Sequence, residues 1–554
     1  MADVTAEGQR ADGSPAGHQS DTPSGHDARW ARGLAAPARW TGRLIARHRV
    51  FSVVLLAAAA LRAAVILGYP PVFWFNDSYN YVTDAVTGVP DTVRSNGYPF
   101  FLRVLLPFHS LYLLASLQAL MGLAMGFGIY AVLRRRGLPW WGATLCALPV
   151  LFDVFELQLE HMIMSDVLFF FLITIAVVLL CWSDQPSWLT CVIVGLLVGY
   201  ATLVRAVGEP LLVVVAVLLL VRRVNWKKAA ALLVVGLLPI VGYMAWYHSY
   251  YGKYALDGSS GTFLYSRVSS FAECSKMPQL ASNLRVLCDP QPPAQRANSQ
   301  EYIWETGTPF YKWANGHQFT AQANSAAGKF AKQAILSQPA AYARVVFDDT
   351  MHTFAWDRSQ SDVTGSGPSF QFRTAVDPVP WWATYYPGFK RSLITYGSPD
   401  YGQPKVVNPW SWLIIDYQKV FYLRGTMLAA ILLIGLGGIV ARWRRWGGLA
   451  LLPWVVGVLL VVIPPLTAGF SYRYVLAAVP VSCLAAGLAC SREPRVSRKA
   501  VAAAAVDAST TSVSPDQSQN RPAGEQAASS SRISPANSSS RSPNRWGAEN
   551  DSDR

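Results

Sequence analysis

Residues 167–180 read VLFFFLITIAVVLL, a run in which Thr174 is the one polar side chain. With its flanking residues this run forms an apolar window over 165–182, long enough for one helix across a bilayer. Further runs at 53–67 and 211–221 are just as apolar. Because no soluble core needs so many such segments, the sequence predicts an all-α polytopic membrane protein.

The composition agrees with this class. Of 554 residues, 52% are hydrophobic and 14% are charged, against about 25% charged in soluble domains. The formal net charge of +14 fits nucleic-acid binding, an acidic membrane surface or basic cytoplasmic loops. Since the basic residues cluster between apolar runs, we expect a lipid bilayer around the protein and no nucleic-acid partner.

The apolar windows predict about ten transmembrane helices. They lie at 48–69, 111–133, 138–156, 165–182, 187–205, 208–221, 229–247, 420–441, 448–466 and 474–490. With ten spans, every basic cluster falls on one side of the membrane; the clusters lie at 134–136, 222–228, 442–445 and 492–499. The positive-inside rule makes that side cytoplasmic. We therefore expect a multi-pass plasma-membrane protein with both termini in the cytoplasm.

The predicted organisation has five parts. They are a disordered N-terminal tail (1–46), spans one to seven with a first extracytoplasmic loop at 70–110 (47–250), an extracytoplasmic segment (251–418), spans eight to ten (419–490) and a disordered C-terminal tail (491–554). The tails lack apolar periodicity, and the first 30 residues lack the features of a removable signal peptide. The extracytoplasmic segment contains Cys274 and Cys288, for which a disulfide and two free thiols are both open.

The first loop contains a predicted amphipathic helix over 75–86. Its apolar face is formed by Phe75, Tyr79, Val82 and Val86, and a second face by Asp77, Tyr81 and Asp84. Such a helix would lie along the bilayer surface with its apolar face in the headgroup boundary. A carboxylate held there can act as a general base on a sugar hydroxyl, whereas a solvated helix face is the alternative.

A second acidic group lies between the third and fourth spans. It consists of Asp153, Glu156, Glu160, His161 and Asp166. Carboxylates and an imidazole near a membrane surface can hold a divalent cation or orient hydroxyl groups. None of the spacings is specific for a metal, so no cofactor is required and a divalent cation stays an open alternative.

Arginines are rare on the predicted extracytoplasmic side. Apart from the long segment, that side carries Arg94, Arg103, Arg205 and Arg473. The guanidinium groups of Arg205 and Arg473 can bind a lipid phosphate through two hydrogen bonds each. The alternative for Arg205 is a local ion pair with Glu209, and for Arg473 it is interface anchoring beside Tyr472 and Tyr474.

Four short segments occur in a characteristic order and on the same side of the membrane. They are DSYNY (77–81), NGYPFF (96–101), EHMIMSD (160–166) and YRY (472–474). In this arrangement the chain resembles the GT-C superfamily of polytopic glycosyltransferases, which includes protein O-mannosyltransferases and lipid A aminoarabinose transferases. Many members carry Glu where this chain has Asp166.

The resemblance implies that a sugar on a polyprenyl phosphate is the donor. The sugar would pass with inversion to a glycan, lipid or protein acceptor of the cell envelope. By the same resemblance Asp77 is the catalytic base, and the donor phosphate is bound by Arg205, Arg473 and Tyr472. Five further residues remain candidates for base, acceptor-orienting or metal-binding roles: Asp84, Glu156, Glu160, His161 and Asp166. The sequence has no nucleotide-binding motif, in agreement with a donor that needs no ATP. A transporter or lipid flippase and an envelope scaffold are the alternatives.

Overall fold

The structure, a computed structural model, describes residues 48–296, 299–357, 370–376, 387–397, 402–445 and 447–491. Apart from Ser491, both predicted tails lie outside the described residues. The described chain is helical, and one isolated backbone bridge joins Phe73 to Met162. The predicted all-α class is confirmed for this part of the chain.

The helices are numbered in chain order. Up to the long segment they are α1 (Arg49–Gly68), α2 (Asn76–Thr87), α3 (Gly97–Leu105), α4 (Leu111–Arg135), α5 (Trp140–Phe152), α6 (Val154–Glu160), α7 (Ser165–Trp182), α8 (Trp188–Val204), α9 (Glu209–Val221) and α10 (Trp226–Tyr251). They continue with α11 (Ser260–Ser269), α12 (Glu301–Trp304), α13 (Pro309–Ala314), α14 (Ala321–Ser337), α15 (Pro339–His352), α16 (Pro387–Thr395), α17 (Trp410–Gln418), α18 (Gly425–Ala441), α19 (Leu451–Thr467), α20 (Tyr472–Leu476) and α21 (Ala478–Cys490).

Six helical segments of the described chain are long and apolar enough to cross a membrane. They are α1, α4, α7, α10, α19 with the preceding turn (Gly448–Thr467), and α20 with α21 (Tyr472–Cys490). This length and composition make the chain a multi-pass membrane protein.

The predicted number of ten spans is not confirmed. Within the predicted third span, α5 ends at Phe152 and α6 begins at Val154, with a bend of 54° between them. The break follows from Asp153, whose side chain accepts hydrogen bonds from the backbone N–H groups that begin α6. Helices α8, α9 and α18 are apolar but have 17, 13 and 17 residues, fewer than the roughly 20 that span a bilayer directly.

Glycines allow α8 and α10 to pack closely. A Cβ atom on Gly195 would lie 2.5 Å from the carbonyl oxygen of Leu232, and one on Gly199 would lie 2.2 Å from that of Gly236. Only residues without a side chain permit such an approach of two backbones. This close contact fixes the position of the C-terminal end of α8, and Arg205 follows directly after it.

Between α10 and α16 the described residues 260–352 form a smaller helical unit, here called the insert. It has its own apolar core around Tyr265, Phe310 and Phe330, separate from the core of the long apolar helices. The structure joins Cys274 and Cys288 in a disulfide with a Cα–Cα distance of 6.1 Å.

Candidate functional site

The helix predicted over 75–86 is present as α2. The side-chain oxygen of Ser78 accepts a hydrogen bond from the backbone N–H of Phe75 and donates one to the carbonyl oxygen of Ile163, each 2.8 Å long. These bonds define where α2 begins and tie it to the segment before α7. Protein rather than lipid covers its apolar face, because Tyr79 and Val82 are buried against neighbouring helices.

Asp77 lies in the first turn of α2 between two arginines. Its Oδ1 atom is 2.8 Å from Nη2 of Arg94, and its Oδ2 atom is 3.7 Å from Nη1 of Arg473. The three side chains are 9%, 23% and 13% exposed, respectively. A carboxylate at a helix N-terminus with two adjacent guanidinium groups is electrostatically stable.

The loop before α3 presents Arg94 to Asp77. The side chain of Asn96 accepts a hydrogen bond from the backbone N–H of Asp91 and donates one to the carbonyl oxygen of Val89. Its backbone N–H donates to the hydroxyl of Tyr243 at 3.2 Å. Asn96, which the sequence marked as part of NGYPFF, therefore organises the turn that carries Arg94.

Gly97 lies against the end of α8. A Cβ atom at this position would come within 2.2 Å of the backbone of Leu203, and the hydroxyl of Tyr200 donates to the carbonyl oxygen of Gly97 at 2.8 Å. The turn that carries Arg94 therefore packs against Leu203, which is two positions before Arg205 in the sequence.

Arg205 pairs with Asp166. Nη1 of Arg205 is 2.5 Å from Oδ1 of Asp166, which is fully buried in the first turn of α7. The predicted alternative was a local ion pair with Glu209, and this pair does not form. Arg205 follows α8 in an extended conformation, and its side chain therefore reaches Asp166 on α7. Oδ2 of Asp166 has no hydrogen-bond partner among the described residues.

The ring of Tyr474 lies between the two arginines predicted to bind phosphate. The guanidinium carbons of Arg205 and Arg473 are 4.9 Å and 5.1 Å from its centroid. Arg473 also lies 5.2 Å from the centroid of Phe75. These cation–aromatic contacts hold both positive charges near each other without neutralising them.

Tyr472 is also predicted to contact phosphate, and the structure places it against a different aromatic residue. Its ring packs on Phe155 with a centroid distance of 5.1 Å. Tyr474 takes the place between the arginines, since neighbouring residues of the short helix α20 point to different sides.

A small cleft borders this group. Its polar residues are Asp166, Arg205 and Tyr474, and its apolar residues are Phe169, Phe170, Val207, Leu460, Pro464 and Ala477. The cleft therefore has a polar part, formed by the Asp166–Arg205 ion pair and Tyr474, next to an apolar part.

The remaining acidic residues of the predicted cluster have separate partners. Glu160 is 2.6 Å from Arg62, which also donates to the carbonyl oxygen of Leu151 at 2.9 Å. His161 bonds through Nε2 to the carbonyl oxygen of Tyr69 at 2.6 Å. Because a carbonyl oxygen only accepts, that nitrogen carries the proton.

Asp153 and Glu156 complete this set. Oδ2 of Asp153 accepts from the backbone N–H of Leu423 at 2.8 Å, so this residue joins α6 to the segment before α18. Glu156 is buried, and its Oε1 atom has no hydrogen-bond partner in the described chain. Among the described residues, no group of three or more His, Cys, Asp or Glu side chains could hold a metal ion.

Asp84, the rival candidate for the base, lies two turns after Asp77 on α2. Burial, with a smaller contribution from the negative charge of Asp91, raises the pKa of its carboxyl group to about 8. The environments of the two carboxylates thus differ, because Asp77 has two arginines within 4 Å and Asp84 has an acidic neighbour.

The sequence pattern alone predicts no binding or catalytic role for Arg94 or Tyr474. Arg94 was noted for its rarity on the predicted extracytoplasmic side, and Tyr474 as an anchor. Arg94 lies two residues before the segment NGYPFF, and Tyr474 is the last residue of YRY; these positions are the signal that could have found them.

Comparisons with known proteins add one partial likeness. No protein-family model and no curated protein matches the chain. The structure of the S. cerevisiae protein O-mannosyltransferase Pmt1-Pmt2 complex bound to the sugar donor is similar, with 15% sequence identity and a TM-score of 0.31. The match covers 43% of this chain and 37% of that chain, so the chain spans little more than a third of the yeast protein's length. A likeness of this degree does not identify the chain's family, substrate or partners.

Proposed function

We propose that this chain is an inverting membrane glycosyltransferase. Its donor is a sugar linked to a polyprenyl phosphate, and its acceptor is an extracytoplasmic glycan, lipid or protein of the cell envelope. One observation carries the proposal: Arg205 and Arg473 lie on the same tyrosine ring, and Arg473 is also 3.7 Å from Asp77. A carboxylate and an anion-binding pair of arginines are thereby side by side.

The arginines suit the phosphate of the donor. Nη1 of Arg473 is buried without a hydrogen-bond partner among the described residues, so this N–H group is available to a phosphate oxygen. Arg205 adds a second guanidinium at the border of the cleft. Two planar guanidinium groups bind phosphate with good geometry and counter the charge that develops as it leaves.

The apolar part of the cleft suits the lipid of the donor. Phe169, Phe170 and Leu460 lie next to the polar residues Asp166 and Arg205. A polyprenyl phosphate has the same division, with a charged headgroup attached directly to a hydrocarbon chain. Burial of that chain contributes about 0.8 kcal/mol for each CH₂ group removed from water.

Asp77 is the proposed general base. The acceptor oxygen attacks the anomeric carbon and forms the new C–O bond, while the bond between the anomeric carbon and the phosphate oxygen breaks. The phosphate leaves with the bonding electron pair, and the acceptor proton passes to the carboxylate of Asp77. Since the attack occurs opposite the leaving group, the anomeric configuration inverts.

The other acidic residues suit this role less well. Asp166 is fully buried against Arg205, and Glu160 is buried against Arg62. With side-chain exposures of 0% and 2%, against 9% for Asp77, these carboxylates are less accessible to an acceptor. In the proposed topology, the site faces the extracytoplasmic side and both termini are cytoplasmic, as the distribution of basic residues predicts.

The decisive experiment measures sugar transfer from a panel of radiolabelled polyprenyl-phosphate sugars into lipid and polymer fractions. Purified membranes with the wild-type protein are compared with membranes carrying Asp77→Asn. Loss of a general base is expected to lower the rate by roughly 10²- to 10⁴-fold. Asp416→Asn, a change at an exposed residue of α17, is the matched control.

Three outcomes contradict parts of the proposal. If Asp77→Asn transfers at the wild-type rate, the base is another residue, with Asp84 first in line. If a chelator abolishes transfer, a metal takes part that the described residues do not account for. If the wild type consumes no donor but moves polyprenyl phosphate between leaflets of a proteoliposome, the chain is a flippase.

A further inference from the structure

Helix α15, the last helix of the insert, presents an apolar strip on its surface. The strip consists of Ala340, Ala343, Phe347 and Met351, and their spacing of three or four positions places them on one face of the helix. All four residues are exposed, and the large side chains of Phe347 and Met351 are 60% and 42% exposed. Large apolar side chains that stay exposed together mark a contact surface.

Two further faces of α15 differ from this apolar strip. A polar strip of Arg344, Asp348 and His352 runs beside it and is also exposed. The opposite face lies against protein, because Tyr342 and Val345 pack on the apolar core of the insert. A helix at the boundary between water and lipid has an apolar face next to a polar one, and here a third face holds the helix to the protein.

The first half of α15 is tied to the end of α19. The hydroxyl of Tyr342 donates a hydrogen bond to the carbonyl oxygen of Leu466 at 2.8 Å, and α15 packs against α19. Leu466 lies in the last turn of α19, which together with its preceding turn is long and apolar enough to cross a membrane. The start of α15 therefore lies where α19 reaches the membrane surface.

The chain that follows α15 is tied to the start of α18. The backbone N–H of Gly425, the first residue of α18, donates to the carbonyl oxygen of Ala355 at 3.0 Å. A Cβ atom on Gly425 would lie 2.3 Å from that oxygen. Helices α18 and α19 are consecutive apolar helices that pack against each other. Because such neighbours run in opposite directions, the start of α18 and the end of α19 lie at the same membrane surface.

Trp356 lies beside this second contact. Its side chain is 59% exposed, and the guanidinium carbon of Arg424 is 5.2 Å from its ring centroid. Tryptophan is enriched where a protein passes from lipid to water, because its ring is apolar and its N–H group is polar. The residue that follows the apolar strip is therefore also of an interfacial kind.

We propose that α15 is an interfacial helix whose apolar strip docks into the lipid monolayer at the surface where α19 ends. Acyl chains cover Phe347 and Met351, and the guanidinium group of Arg344 lies at the level of the lipid phosphates. A second copy of the chain would also cover an apolar strip, but it would not require both ends of α15 to be tied to one membrane surface. The proposal rests on the fold and does not depend on the proposed function.

The first test uses the full-length wild-type protein in nanodiscs that contain one copy each. The nanodiscs include a phosphatidylcholine that carries an aryl diazirine in its acyl chain, and mass spectrometry locates the adducts after illumination. Labelling of the apolar strip should exceed labelling of the polar strip at least roughly tenfold, because only the apolar strip enters the acyl region. Equal labelling of the two strips, or no label on α15, overturns the proposal, since a protein cover would exclude the acyl chain.

The second test compares two double variants of α15. The main variant is Phe347→Ser with Met351→Ser, and the matched control is Asp348→Ser with His352→Ser, which has the same spacing on the polar strip. Labelling is read at Ala340 and Ala343, which both variants keep. It should fall at least roughly fivefold in the main variant, because membrane binding scales with buried apolar area, and should stay at the wild-type level in the control.

Equal labelling of Ala340 and Ala343 in the two variants overturns the proposal. The comparison of the two strips in the wild type needs no substitution, so it decides the question if the main variant does not fold. Sugar transfer enters neither measurement. A failure of the proposed function therefore leaves this test unaffected, and a failure of this test leaves the proposed function unaffected.

Discussion

Nη1 of Arg473 lies 3.7 Å from Oδ2 of Asp77, although Asp77 follows the first apolar helix and Arg473 begins the last. Arg94 binds the other oxygen of the same carboxylate at 2.8 Å. A negatively charged donor can compete with Asp77 for Arg473 while Arg94 keeps the carboxylate in place. In the proposed function the two arginines therefore have different roles: Arg94 is structural and Arg473 binds the donor.

Arg473→Gln is expected to weaken use of the donor. The change removes a buried positive charge and an N–H group without another acceptor in the described chain. Truncation of a buried charge partner costs about 2–5 kcal/mol, so kcat/KM for the polyprenyl-phosphate sugar should fall at least roughly thirtyfold. Arg473→Lys should be intermediate, because lysine keeps the charge but not the planar geometry.

The matched control is Arg285→Gln, at an exposed position of the insert. Steady-state transfer kinetics with varied donor concentration distinguish the variants. Equal kcat/KM values for wild type and Arg473→Gln would remove Arg473 from the donor site.

Asp84→Asn is expected to stabilise the protein increasingly as the pH rises. Burial raises the pKa of Asp84 to about 8 in the folded protein, from an ordinary value of 3.8. Between these two pH values the folded state holds more protons than the unfolded state, so wild-type stability falls as the pH rises through this window. The asparagine variant lacks this loss because its side chain does not titrate.

Thermal unfolding at pH 5, 7 and 9 checks this expectation. The Tm of Asp84→Asn should exceed that of the wild type by an amount that grows with pH. Asp416→Asn should show no such trend, and a constant difference for Asp84→Asn would contradict the prediction. If Asp84 were the base in place of Asp77, transfer would also require a pH above about 8.

Gly97→Ala is expected to destabilise the protein and disturb the donor site. The added Cβ atom would lie 2.2 Å from the backbone of Leu203, so the end of α8 must move together with Arg205. Overpacking of this kind costs about 1–3 kcal/mol. Gly307→Ala, where a Cβ atom meets nothing within 4 Å, is the control for thermal unfolding and donor affinity.

Cys274→Ser is expected to loosen the insert. The disulfide closes a loop with a sequence separation of 14, for which chain entropy predicts a stabilisation of roughly 3 kcal/mol. Hydrogen–deuterium exchange of residues 260–352 should rise in the variant and in the reduced wild type. Cys490→Ser, at the end of α21, should leave this exchange unchanged, and an unchanged Cys274→Ser variant would show that the insert core suffices alone.

Much of the fold follows from local sequence patterns. Long apolar runs predict the helices that can cross a membrane, and the spacing of apolar residues over 75–86 predicts α2. Both signals arise within one segment, because burial of a helix face depends on residues three and four positions apart. The predicted count of ten spans is not confirmed, and within the predicted third span Asp153 caps a new helix inside the apolar window.

The sequence by itself determined the apolar helices, the amphipathic helix α2 and the chemical kinds of residue at the candidate site. Only the tertiary structure decided the partners: Arg94 with Asp77, and Arg205 with Asp166 rather than with Glu209. These pairs join segments far apart in the chain, and their formation depends on how the helices between them pack. Hydropathy and residue spacing describe one segment at a time, whereas an ion pair depends on where two segments lie relative to each other.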